Sequence, residues 1–592
     1  METKADRTTS AAAATTDYLP ILKEYWGYDA FRGIQEDIIR SIGEGRDTLG
    51  LMPTGGGKSI TFQVPALARD GLCLVITPLI ALMKDQVQAL RHKGIKATAV
   101  HSGMSHSEIL TALDNCIYGG YKFLYISPER LDTEGFRLRL EHMHVSLIAV
   151  DESHCISQWG YDFRPAYLKI ATVRDMLPGV PVLALTATAT PEVVKDIQER
   201  LHFREPNVFR MSFERRNLAY VVRRTEDKEG EMVHILQSVP GSAIVYTRSR
   251  RKTRDLAEWL QKNGISATFY HAGLEDATKD LRQREWHADK TRVMVATNAF
   301  GMGIDKPDVR MVIHADLPSS IEAYFQEAGR AGRDGNKACA VLLFSKADRT
   351  SVAQRVDNTF PPREYVLSVY EKLQYYYQMA MGDGYGCVKK FDINDFCLKF
   401  HFFPTQVDSA LNLLTQAGYL EYGEEMRSTS TLMFLLRKDE LYRLNDEDPD
   451  TERLIQTILR TYTGLFADYV PIQEELLSAR TGMDRNNIYN RLLNLSSRNI
   501  VSYIPRNATP YIIYARERVE TSDIVIPTSV YEVRRERLKS HIDAMLDYAG
   551  NDTACRSRIL LNYFGEDNPH DCGQCDNCLR LRRQGRDSSS GA

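Results

Sequence analysis

The sequence predicts an α/β protein in which two consecutive parallel-sheet domains precede a mostly helical region and a short helical hairpin that carries cysteines. Two patterns lead to this prediction. Between about residues 30 and 345, short apolar runs without polar alternation are separated by longer amphipathic stretches. Such runs are typical of strands buried on both faces, as in parallel sheets covered by helices. After residue 345 the pattern changes to helices with short pairs of strands, and four cysteines crowd near the end.

The composition is that of an ordinary globular protein. The 592 residues allow about four domains of roughly 150 residues each. The net charge of −3 excludes a protein coated in basic charge, but it does not exclude nucleic-acid binding through a locally basic channel. We expect no membrane span and no secretory signal, because no apolar run is long enough and the N-terminus lacks the signal pattern. Ten cysteines are too few for a disulfide-stapled secreted scaffold of this length.

Changes in the apolar pattern set the predicted domain boundaries. Strand-like runs such as TLGLM (48–52) belong to the first domain, and runs such as AIVYT (243–247) belong to the second. The small polar residues at the start of the chain predict disorder. The predicted regions are a disordered N-terminus (1–17), two parallel-sheet domains (18–205 and 206–345), a helical, winged-helix-like insertion (346–525), a cysteine-bearing hairpin (526–582) and a disordered tail (583–592).

Two stretches of the helical insertion form a weak internal repeat. Residues 396–422 lead into the strand-like run 429–436, and residues 475–503 lead into the run 510–515. Each stretch predicts a helix, a turn, a second helix and then a β-hairpin, which is the outline of a winged helix. We therefore expect two such motifs in series, each closed by the hairpin that follows its own helices.

A phosphate-binding loop is predicted directly after the first strand. The order of strand, glycine-rich loop and apolar helix is the one that such a loop requires. Glycines let backbone N–H groups converge on phosphate oxygens, and the helix N-terminus adds its positive end. Lys58 would reach the β- and γ-phosphates, and the Ser59 hydroxyl would bind Mg²⁺. Met52 replaces the usual first glycine, so a glycine turn with an accidental Lys-Ser is the alternative. The loop residues are Pro53, Thr54, Gly55, Gly56, Gly57, Lys58 and Ser59.

Acidic and basic residues elsewhere would complete a nucleotide site. Asp151 and Glu152 follow an apolar strand, and an acidic pair at the carboxyl end of a parallel strand lies beside the phosphate loop in such folds. Asp151 would hold Mg²⁺ through water, and Glu152 would orient and deprotonate the attacking water. In the second domain, Arg330 and Arg333 are expected on one face of a helix and would reach the γ-phosphate across a cleft. The alternatives are an ordinary surface acid pair and a solvated helix face.

Four cysteines near the end of the chain predict a metal site. Three of them lie in a tight CGQCDNC turn, and the fourth lies upstream. Four thiolates in a reducing compartment suit a tetrahedral structural Zn²⁺. A [4Fe–4S] cluster takes the same number of thiolates and is one alternative, and thiols without a metal are the other. The candidate ligands are Cys555, Cys572, Cys575 and Cys578.

Residues 25–345 resemble the helicase core of superfamily 2, and specifically the RecQ family of DNA helicases. The most diagnostic segment is HCISQWGYDFRPAY (154–167), which is similar to the aromatic-rich loop that couples DNA contact to hydrolysis in that family. The cysteine-rich segment 555–579 resembles the RecQ zinc-binding subdomain. The other matching segments are GYDAFRGIQ (27–35), MPTGGGKS (52–59), TPLIALMKDQV (77–87), SPERL (127–131), DESH (151–154), ALTATAT (184–190), VATNAFGMGIDKPDVR (295–310) and QEAGRAGRDG (326–335).

The resemblance implies two tandem RecA-like domains and an ATP-dependent DNA helicase that acts in recombination and repair with 3′ to 5′ polarity. Its cofactors would be ATP, Mg²⁺ and Zn²⁺. Gln35 would read adenine, Tyr28 or Arg32 would pack on it, and Asp305 would contact the ribose. Arg333 would be the arginine finger, with Arg330 beside it. The residues implied to contact single-stranded DNA are His154, Trp159, Phe163 and Arg164, and an aromatic pair with a nearby arginine is a platform that single strands favour.

The order of the regions departs from that family. There the zinc subdomain follows the core directly and a winged helix comes after it, whereas residues 346–525 intervene here. Residues 404–417 or 484–497 could serve as duplex-recognition helices, or the two motifs could be simple packing domains. The implied partners are single-stranded and forked or duplex DNA, with single-strand-binding protein as a further candidate, in the cytoplasm and on the nucleoid of a bacterium. The alternatives are an RNA helicase and a DNA-remodelling ATPase that does not separate strands.

Overall fold

A computed structural model describes residues 16–589, except for residues 54, 102–103, 105, 161, 302–305, 424–429, 437–447, 467–468, 499, 506–510 and 568–569. Thr54, Asp305 and most of the predicted N-terminal disorder (1–17) therefore lie outside the described residues. The chain forms two compact units. The first comprises residues 1–349 and 541–592, and the second comprises residues 350–540. Within the described part of the chain, no helix is long and apolar enough to cross a membrane.

The first lobe of the first unit is a seven-stranded parallel sheet with the strand order β3-β4-β2-β5-β6-β1-β7. Its strands are β1 (Thr48–Leu51), β2 (Leu72–Ile76), β3 (Ala97–Val100), β4 (Phe123–Ile126), β5 (Val145–Val150), β6 (Val182–Thr186) and β7 (Val208–Arg210). Its helices are α1 (Leu19–Trp26), α2 (Gln35–Gly43), α3 (Ile60–Leu67), α4 (Ile80–His92), α5 (His106–Tyr118), α6 (Glu134–Leu140), α7 (Ile170–Met176) and α8 (Pro191–Arg200). The sheet extends past the predicted boundary at 205, because β7 pairs with β1.

The second lobe is a six-stranded parallel sheet with the order β10-β11-β9-β12-β13-β8. Its strands are β8 (Leu218–Arg224), β9 (Ser242–Tyr246), β10 (Ala267–Tyr270), β11 (Val293–Ala296), β12 (Val309–His314) and β13 (Ala338–Phe344). Its helices are α9 (Lys228–Ser238), α10 (Arg250–Lys262), α11 (Asp276–His287) and α12 (Ile321–Ala328). The central strands β9, β11 and β12 are buried almost throughout, as continuous apolar runs predict for parallel strands. The predicted fold of two parallel-sheet domains is confirmed.

The second unit contains two winged-helix motifs. After α13 (Lys346–Thr359), the first motif comprises α14 (Arg363–Tyr377), β14 (Val388–Lys390), α15 (Ile393–Phe400), α16 (Pro404–Gln416), β15 (Leu420–Gly423) and β19 (Tyr511–Tyr514). The second motif comprises β16 (Ser430–Phe434), α17 (Pro449–Thr461), β17 (Val470–Ile472), α18 (Glu474–Thr481), α19 (Arg485–Ser497) and β18 (Val501–Ile504). Each motif has a three-stranded sheet, in the orders β14-β19-β15 and β17-β16-β18.

The expectation that each motif is closed by its own hairpin is wrong. The strand β16 pairs antiparallel with β17 and β18 of the second motif, and β19 pairs with β14 and β15 of the first. The second motif is therefore nested between two strands of the first. The cause is packing: Leu432 of β16 is buried with Leu454 and Leu492, whereas Tyr514 of β19 is buried with Leu411. Both strands are apolar, so the local sequence does not select the partner.

The cysteine-bearing segment completes the first unit. It follows α20 (Glu532–Gly550) and contains α21 (Arg556–Tyr563) and α22 (Asp576–Ser589). The helix α22 continues to Ser589, where the sequence predicts a disordered tail from residue 583. The Arg556 guanidinium is almost fully buried and pairs with the Asp576 carboxylate at 3.1 Å, so one ion pair joins α21 to α22.

Candidate nucleotide site and cysteine cluster

The glycine loop lies between the end of β1 and the start of α3. Gly55 and Gly57 have φ angles of 84° and 74°, in the left-handed region that favours glycine. A Cβ atom on Gly57 would lie 2.4 Å from the Gln35 Nε2 atom. That nitrogen donates to the Gly56 and Gly57 carbonyls at 3.2 Å, and Gln35 Oε1 accepts from the Arg32 N–H at 2.8 Å. Gln35, predicted to read adenine, thus also braces the loop.

Met52, which replaces the usual first glycine, continues the buried strand. Its side chain is fully buried in the core of the lobe, and its N–H donates to the Thr186 carbonyl at 3.0 Å. The backbone turns only at the glycines that follow, so methionine in place of the usual first glycine does not disturb the loop. Lys58 and Ser59 follow the glycines directly and line a cleft of about 530 Å³.

Asp151 and Glu152 lie at the carboxyl end of β5 and face this cleft. Both are buried, and the Lys58 Nζ atom lies 3.7 Å from Glu152 Oε1. Burial, together with the neighbouring charge of Glu152, raises the pKa of Asp151 to about 6. Burial opposes the ionisation of Glu152 too, but Lys58, His154 and Arg330 outweigh it and hold the pKa of Glu152 below its usual range. Glu152 is therefore the more strongly ionised carboxylate of the two, and Asp151 binds a proton more readily.

Glu152 adopts a backbone conformation that is uncommon for its residue type. Its φ angle is 47° in the left-handed region, which costs about 1 kcal/mol or more for a non-glycine residue. The conformation turns the chain at once after β5, and the Glu152 Oε2 atom is buried without a hydrogen bond among the described residues. It lies 3.4 Å from His154 Nδ1. A buried carboxylate oxygen with spare acceptor capacity suits a group that takes a proton from water.

Arg330 and Arg333 do not share a helix face, so that expectation is wrong: α12 ends at Ala328, and both arginines lie in the turns beyond it. The turns nevertheless bring them to the cleft of the first lobe. Arg330 is almost fully buried and donates to the Gly301 carbonyl. A Cβ atom on Gly55 would lie 3.7 Å from Arg333 Cγ, so Arg333 packs over the glycine loop.

Tyr28 and Arg32 lie at the outer part of the cleft. The Tyr28 ring is 43% exposed, and the Arg32 guanidinium carbon lies 5.3 Å from the ring centroid. The two side chains form a flat, partly apolar and cationic surface beside Gln35. This surface has the chemistry that the sequence predicts for an adenine contact, while Asp305, the predicted ribose contact, lies outside the described residues.

The predicted DNA-contacting residues separate into two groups. Trp159 is 51% exposed, Phe163 is half-buried, and Arg164 pairs with Asp162 at 3.1 Å. His154, by contrast, is 1% exposed and its Nδ1 atom lies 2.9 Å from the Thr186 hydroxyl. His154 therefore offers almost no exposed surface to a strand in this structure, and its contact with DNA stays a prediction. Its ring lies under the loop, between Glu152 and β6, because the turn at Glu152 directs it inwards.

A second cleft of about 460 Å³ lies on the side of the aromatic-rich loop. Arg164 of the first lobe and Arg248 of the second line it, together with Arg330 and Gln326. Arg330 and Gln326 also line the first cleft, the one that contains Lys58 and Glu152. Sequence reasoning gave no role to Gln326. Its place four residues before Arg330, in the same glycine-flanked segment, was the available signal.

The four predicted metal ligands come together. Their sulfur atoms all lie within 4.8 Å of one another, close to the roughly 3.8 Å edge of a tetrahedron with Zn–S bonds of about 2.3 Å. The Cys572 N–H donates to Cys555 Sγ at 3.2 Å, and the Cys578 N–H donates to Cys575 Sγ at 3.4 Å. Hydrogen bonds from the thiols of Cys572 and Cys575 hold the pKa of Cys555 well below its usual range. The same network of thiols raises the pKa of Cys572, and burial raises that of Cys578, so the support for a closed, four-sulfur Zn²⁺ site comes from the donor set and its spacing.

Four family models match the chain. "DEAD/DEAH box helicase" matches residues 32–197, and "Helicase conserved C-terminal domain" matches residues 227–335. "RecQ helicase winged-helix domain, Bacteroidota" matches residues 432–505, and "RecQ zinc-binding" matches residues 515–579. The chain belongs to the RecQ helicase family.

RecQ relatives match over the two lobes. The ATP-dependent DNA helicase RecQ of Bacillus subtilis is 47% identical over 331 residues, which are 55% of this chain and 56% of the relative. The ATP-dependent DNA helicase RecQ of Pasteurella multocida is 44% identical over 56% of this chain and 52% of the relative. The probable ATP-dependent DNA helicase RecS of Bacillus subtilis is 42% identical over 55% of this chain and 66% of the relative. The chain thus spans about half the length of the first two relatives.

The RecQ models also locate the departure in domain order. The winged-helix match lies between the core and the zinc-binding match, and it covers β16 to β18, the nested motif. A winged helix before the zinc segment is therefore a feature of this chain's RecQ architecture. The zinc-binding match and the four clustered sulfurs together support Zn²⁺ over an iron–sulfur cluster.

Proposed function

We propose that this protein is an ATP- and Mg²⁺-dependent DNA helicase, which translocates on single-stranded DNA and separates duplex strands. One observation carries the proposal: a single cleft is lined by Lys58 and Glu152 of the first lobe and by Arg330 and Arg333 of the second. A nucleotide bound there would contact both lobes. Its hydrolysis would remove the contacts that the γ-phosphate makes to the arginines of the second lobe, and the cleft could then open. Cyclic changes of that kind are what a translocating motor needs.

The proposed chemistry uses groups that are already in place. Lys58 and Arg333 line the cleft beside the glycine loop. There they would contact the β- and γ-phosphates and stabilise the charge that develops on the transferred phosphoryl group. Glu152, ionised near neutral pH, would accept a proton from the attacking water through its Oε2 atom. Mg²⁺, held by Ser59 and, through water, by Asp151, would further neutralise the phosphates.

Single-stranded DNA would bind near the second cleft, which Arg330 lines together with the first cleft. Exposed Trp159 offers a stacking surface, and stacking contributes about 1–3 kcal/mol per base in single-strand binding. Arg164 lines the second cleft with Arg330, which also reaches the nucleotide cleft. We infer that a strand bound along Trp159, Phe163 and Arg164 promotes hydrolysis by ordering Arg330.

The proposal is tested by strand displacement on forked DNA and forked RNA. We expect unwinding of DNA alone, ATP hydrolysis stimulated by single strands, and loss of both in Lys58→Ala. Lys96→Ala, which changes an exposed lysine far along the same lobe, is the matched control and should act like the wild type. Unwinding that survives Lys58→Ala would remove the phosphate-loop assignment. RNA unwinding would support the RNA-helicase alternative, and hydrolysis without displacement would support the remodelling ATPase.

The finer features of the activity stay predictions. Polarity from 3′ to 5′ predicts displacement from duplexes with a 3′ tail and none from duplexes with a 5′ tail. A role in recombination and repair, a cytoplasmic location on the nucleoid, and single-strand-binding protein as a partner follow from the family alone. Co-sedimentation with single-strand-binding protein in the absence of DNA tests the last of these. We expect the two proteins to sediment together, and sedimentation together only when DNA is present would contradict the partnership.

Of the two candidate recognition helices, we propose that α19 contacts duplex DNA. Its exposed side includes several asparagines, whose amides can bond adenine edges, and the helix has no acidic residue. In α16 the only charged residue is Asp408. Asn490→Ala with Asn494→Ala should weaken duplex affinity severalfold. The matched pair Asn412→Ala with Gln416→Ala in α16 should not, and equal effects of the two pairs would contradict the choice of α19.

A further inference from the structure

The linker between the two lobes touches the segment that carries the arginines. Residues 211–217 connect β7 to β8, and Arg215 lies within them. Its Nη1 atom donates to the Gly329 carbonyl at 3.2 Å, and its Nη2 atom donates to the Ala331 and Gly332 carbonyls at 2.9 and 3.1 Å. One guanidinium therefore holds three carbonyls on both sides of Arg330. Charged donors make stronger hydrogen bonds than neutral ones.

Asn217 holds the same turn from the end of the linker. Its Nδ2 atom donates to the Gly332 carbonyl at 2.6 Å and to the Asn336 carbonyl at 2.9 Å. Gly332 has a φ angle of 65°, and a Cβ atom there would lie 2.6 Å from Asn217 Nδ2. The turn that separates Arg330 from Arg333 is thus shaped to fit this amide.

The cysteine-bearing segment after α20, which the zinc-binding family model matches, also contacts the linker. The Glu566 carboxylate accepts from the Ser212 hydroxyl at 2.5 Å and from the Phe213 N–H at 2.9 Å. Gln574 Nε2, beside the cysteine turn, donates to the Arg216 and Leu218 carbonyls at 3.0 and 3.1 Å. The Phe213 ring also packs on the Phe564 ring, with centroids 5.4 Å apart. The linker is therefore fixed between the zinc-binding segment and the arginine turns.

We propose that Arg215 and Asn217 are positioning residues for Arg330 and Arg333, and that Glu566 fixes the linker on which they stand. The inference rests on the proposed ATP hydrolysis at the cleft. The turns have backbone hydrogen bonds of their own, such as the one from the Arg330 N–H to the Glu327 carbonyl at 3.2 Å. The carbonyls of Gly329, Ala331 and Gly332, however, are held by Arg215. A displacement of about 1 Å at a transition-state contact can lower a rate on the order of a hundredfold. The zinc-binding segment would thus act on hydrolysis through the linker, and not only on stability.

The test compares Arg215→Ala and Arg215→Lys with the wild type in DNA-stimulated ATP hydrolysis. We expect kcat to fall about ten- to a hundredfold in Arg215→Ala with little change in KM for ATP, since Lys58 and Gln35 bind nucleotide from the first lobe. Arg215→Lys keeps the charge but cannot reach three carbonyls, so it should recover kcat only in part. A fall in kcat with a matching loss of nucleotide binding would mean general disruption and would overturn the positioning role.

A double-mutant cycle separates positioning from folding. If Arg215 acts through the arginines, Arg215→Ala should add nothing to the loss in Arg330→Ala with Arg333→Ala. A purely structural role would add its full effect in that background and would overturn the proposal. If the wild type hydrolyses ATP and Arg215→Ala equals it, only the positioning role fails. If the wild type hydrolyses no ATP with DNA, the proposed function itself fails.

The role of Glu566 has its own control. Glu566→Ala should lower kcat several-fold while the bound zinc per chain, measured by direct metal analysis, stays unchanged. Ser212→Ala removes only one of the hydrogen bonds to Glu566, so it should lower kcat less than Glu566→Ala does. Adding Ser212→Ala to Glu566→Ala should lower kcat no further. Asp567→Ala, at the exposed neighbouring residue, should match the wild type. Unchanged kcat in Glu566→Ala, or loss of zinc in it, would remove this residue from the proposal.

Discussion

Asp151→Asn should stabilise the nucleotide-free protein while it abolishes hydrolysis. The carboxyl group is buried, and its pKa is raised from 3.8 to about 6 by burial and by the charge of Glu152. Each pKa unit corresponds to about 1.4 kcal/mol, so the ionised group costs the folded protein on the order of 3 kcal/mol at neutral pH. An amide of the same shape carries no charge and avoids this cost. The site thus gives up stability in order to present a carboxylate.

The sign of the effect depends on pH. Because the folded pKa lies above the unfolded one, ionised Asp151 destabilises the folded state fully above about pH 6. The cost shrinks as pH falls through 6, and it vanishes below about 4, where both states bind the proton. The advantage of Asp151→Asn should therefore be greatest near pH 8 and absent near pH 4.

Thermal unfolding in buffer without Mg²⁺ measures this advantage. For a domain the size of the first lobe, a gain of about 3 kcal/mol in the free energy of unfolding raises the thermal unfolding midpoint on the order of 5–10 °C. Asp162→Asn is a control of the same chemistry at a partly exposed ion pair with Arg164, and it should not raise the midpoint. An Asp151→Asn midpoint at pH 8 that equals or falls below that of the wild type would refute the reasoning. A rise that persists at pH 4 would also refute it.

Three further predictions address the zinc site, the arginine turn and the nested motif. One zinc per chain is expected in the wild type and less in Cys575→Ser, and a wild type without metal would defeat the zinc site. Gly332→Ala should lower kcat and stability because its Cβ would meet Asn217, whereas Gly335→Ala, with φ of 84° but open space, should cost only about 1 kcal/mol of backbone strain. Cysteines at Thr431 and Ile504, which are paired in β16 and β18, should form a disulfide on mild oxidation. Cysteines at Thr431 and Tyr422 should not form a disulfide, because β16 does not pair with β15. A disulfide between the second pair and none between the first would contradict the nested arrangement of the two motifs.

Features coded by neighbouring residues could be read from the sequence. The glycine loop has its glycines, a lysine and a serine in one turn, and the cysteine turn has three thiols within seven residues. The acid pair follows its strand directly. In each case the backbone path over a few residues already places the groups together, so the spacing alone carries the chemistry.

Features decided by distant partners were misread or missed. The sequence suggested a helix face for Arg330 and Arg333, yet α12 ends before them and Arg215 of the linker donates to carbonyls of their turns. It gave no sign that His154 is buried, which follows from the left-handed turn at Glu152. Nothing local links Glu566 to Ser212, since 353 or more positions separate the bonded residues.

The sequence by itself determined the apolar strands of the two parallel-sheet lobes, the glycine loop, the acid pair that follows its strand, and the turn with three cysteines, because these depend on local pattern and short spacing. The tertiary structure alone decided which strands complete each winged helix. It also decided how the zinc-binding segment, the interlobe linker and the arginine turns meet. Apolar strands of similar composition can pair in more than one way, and single hydrogen bonds leave no periodic trace in a sequence. Only the packing of the whole chain selects among such alternatives.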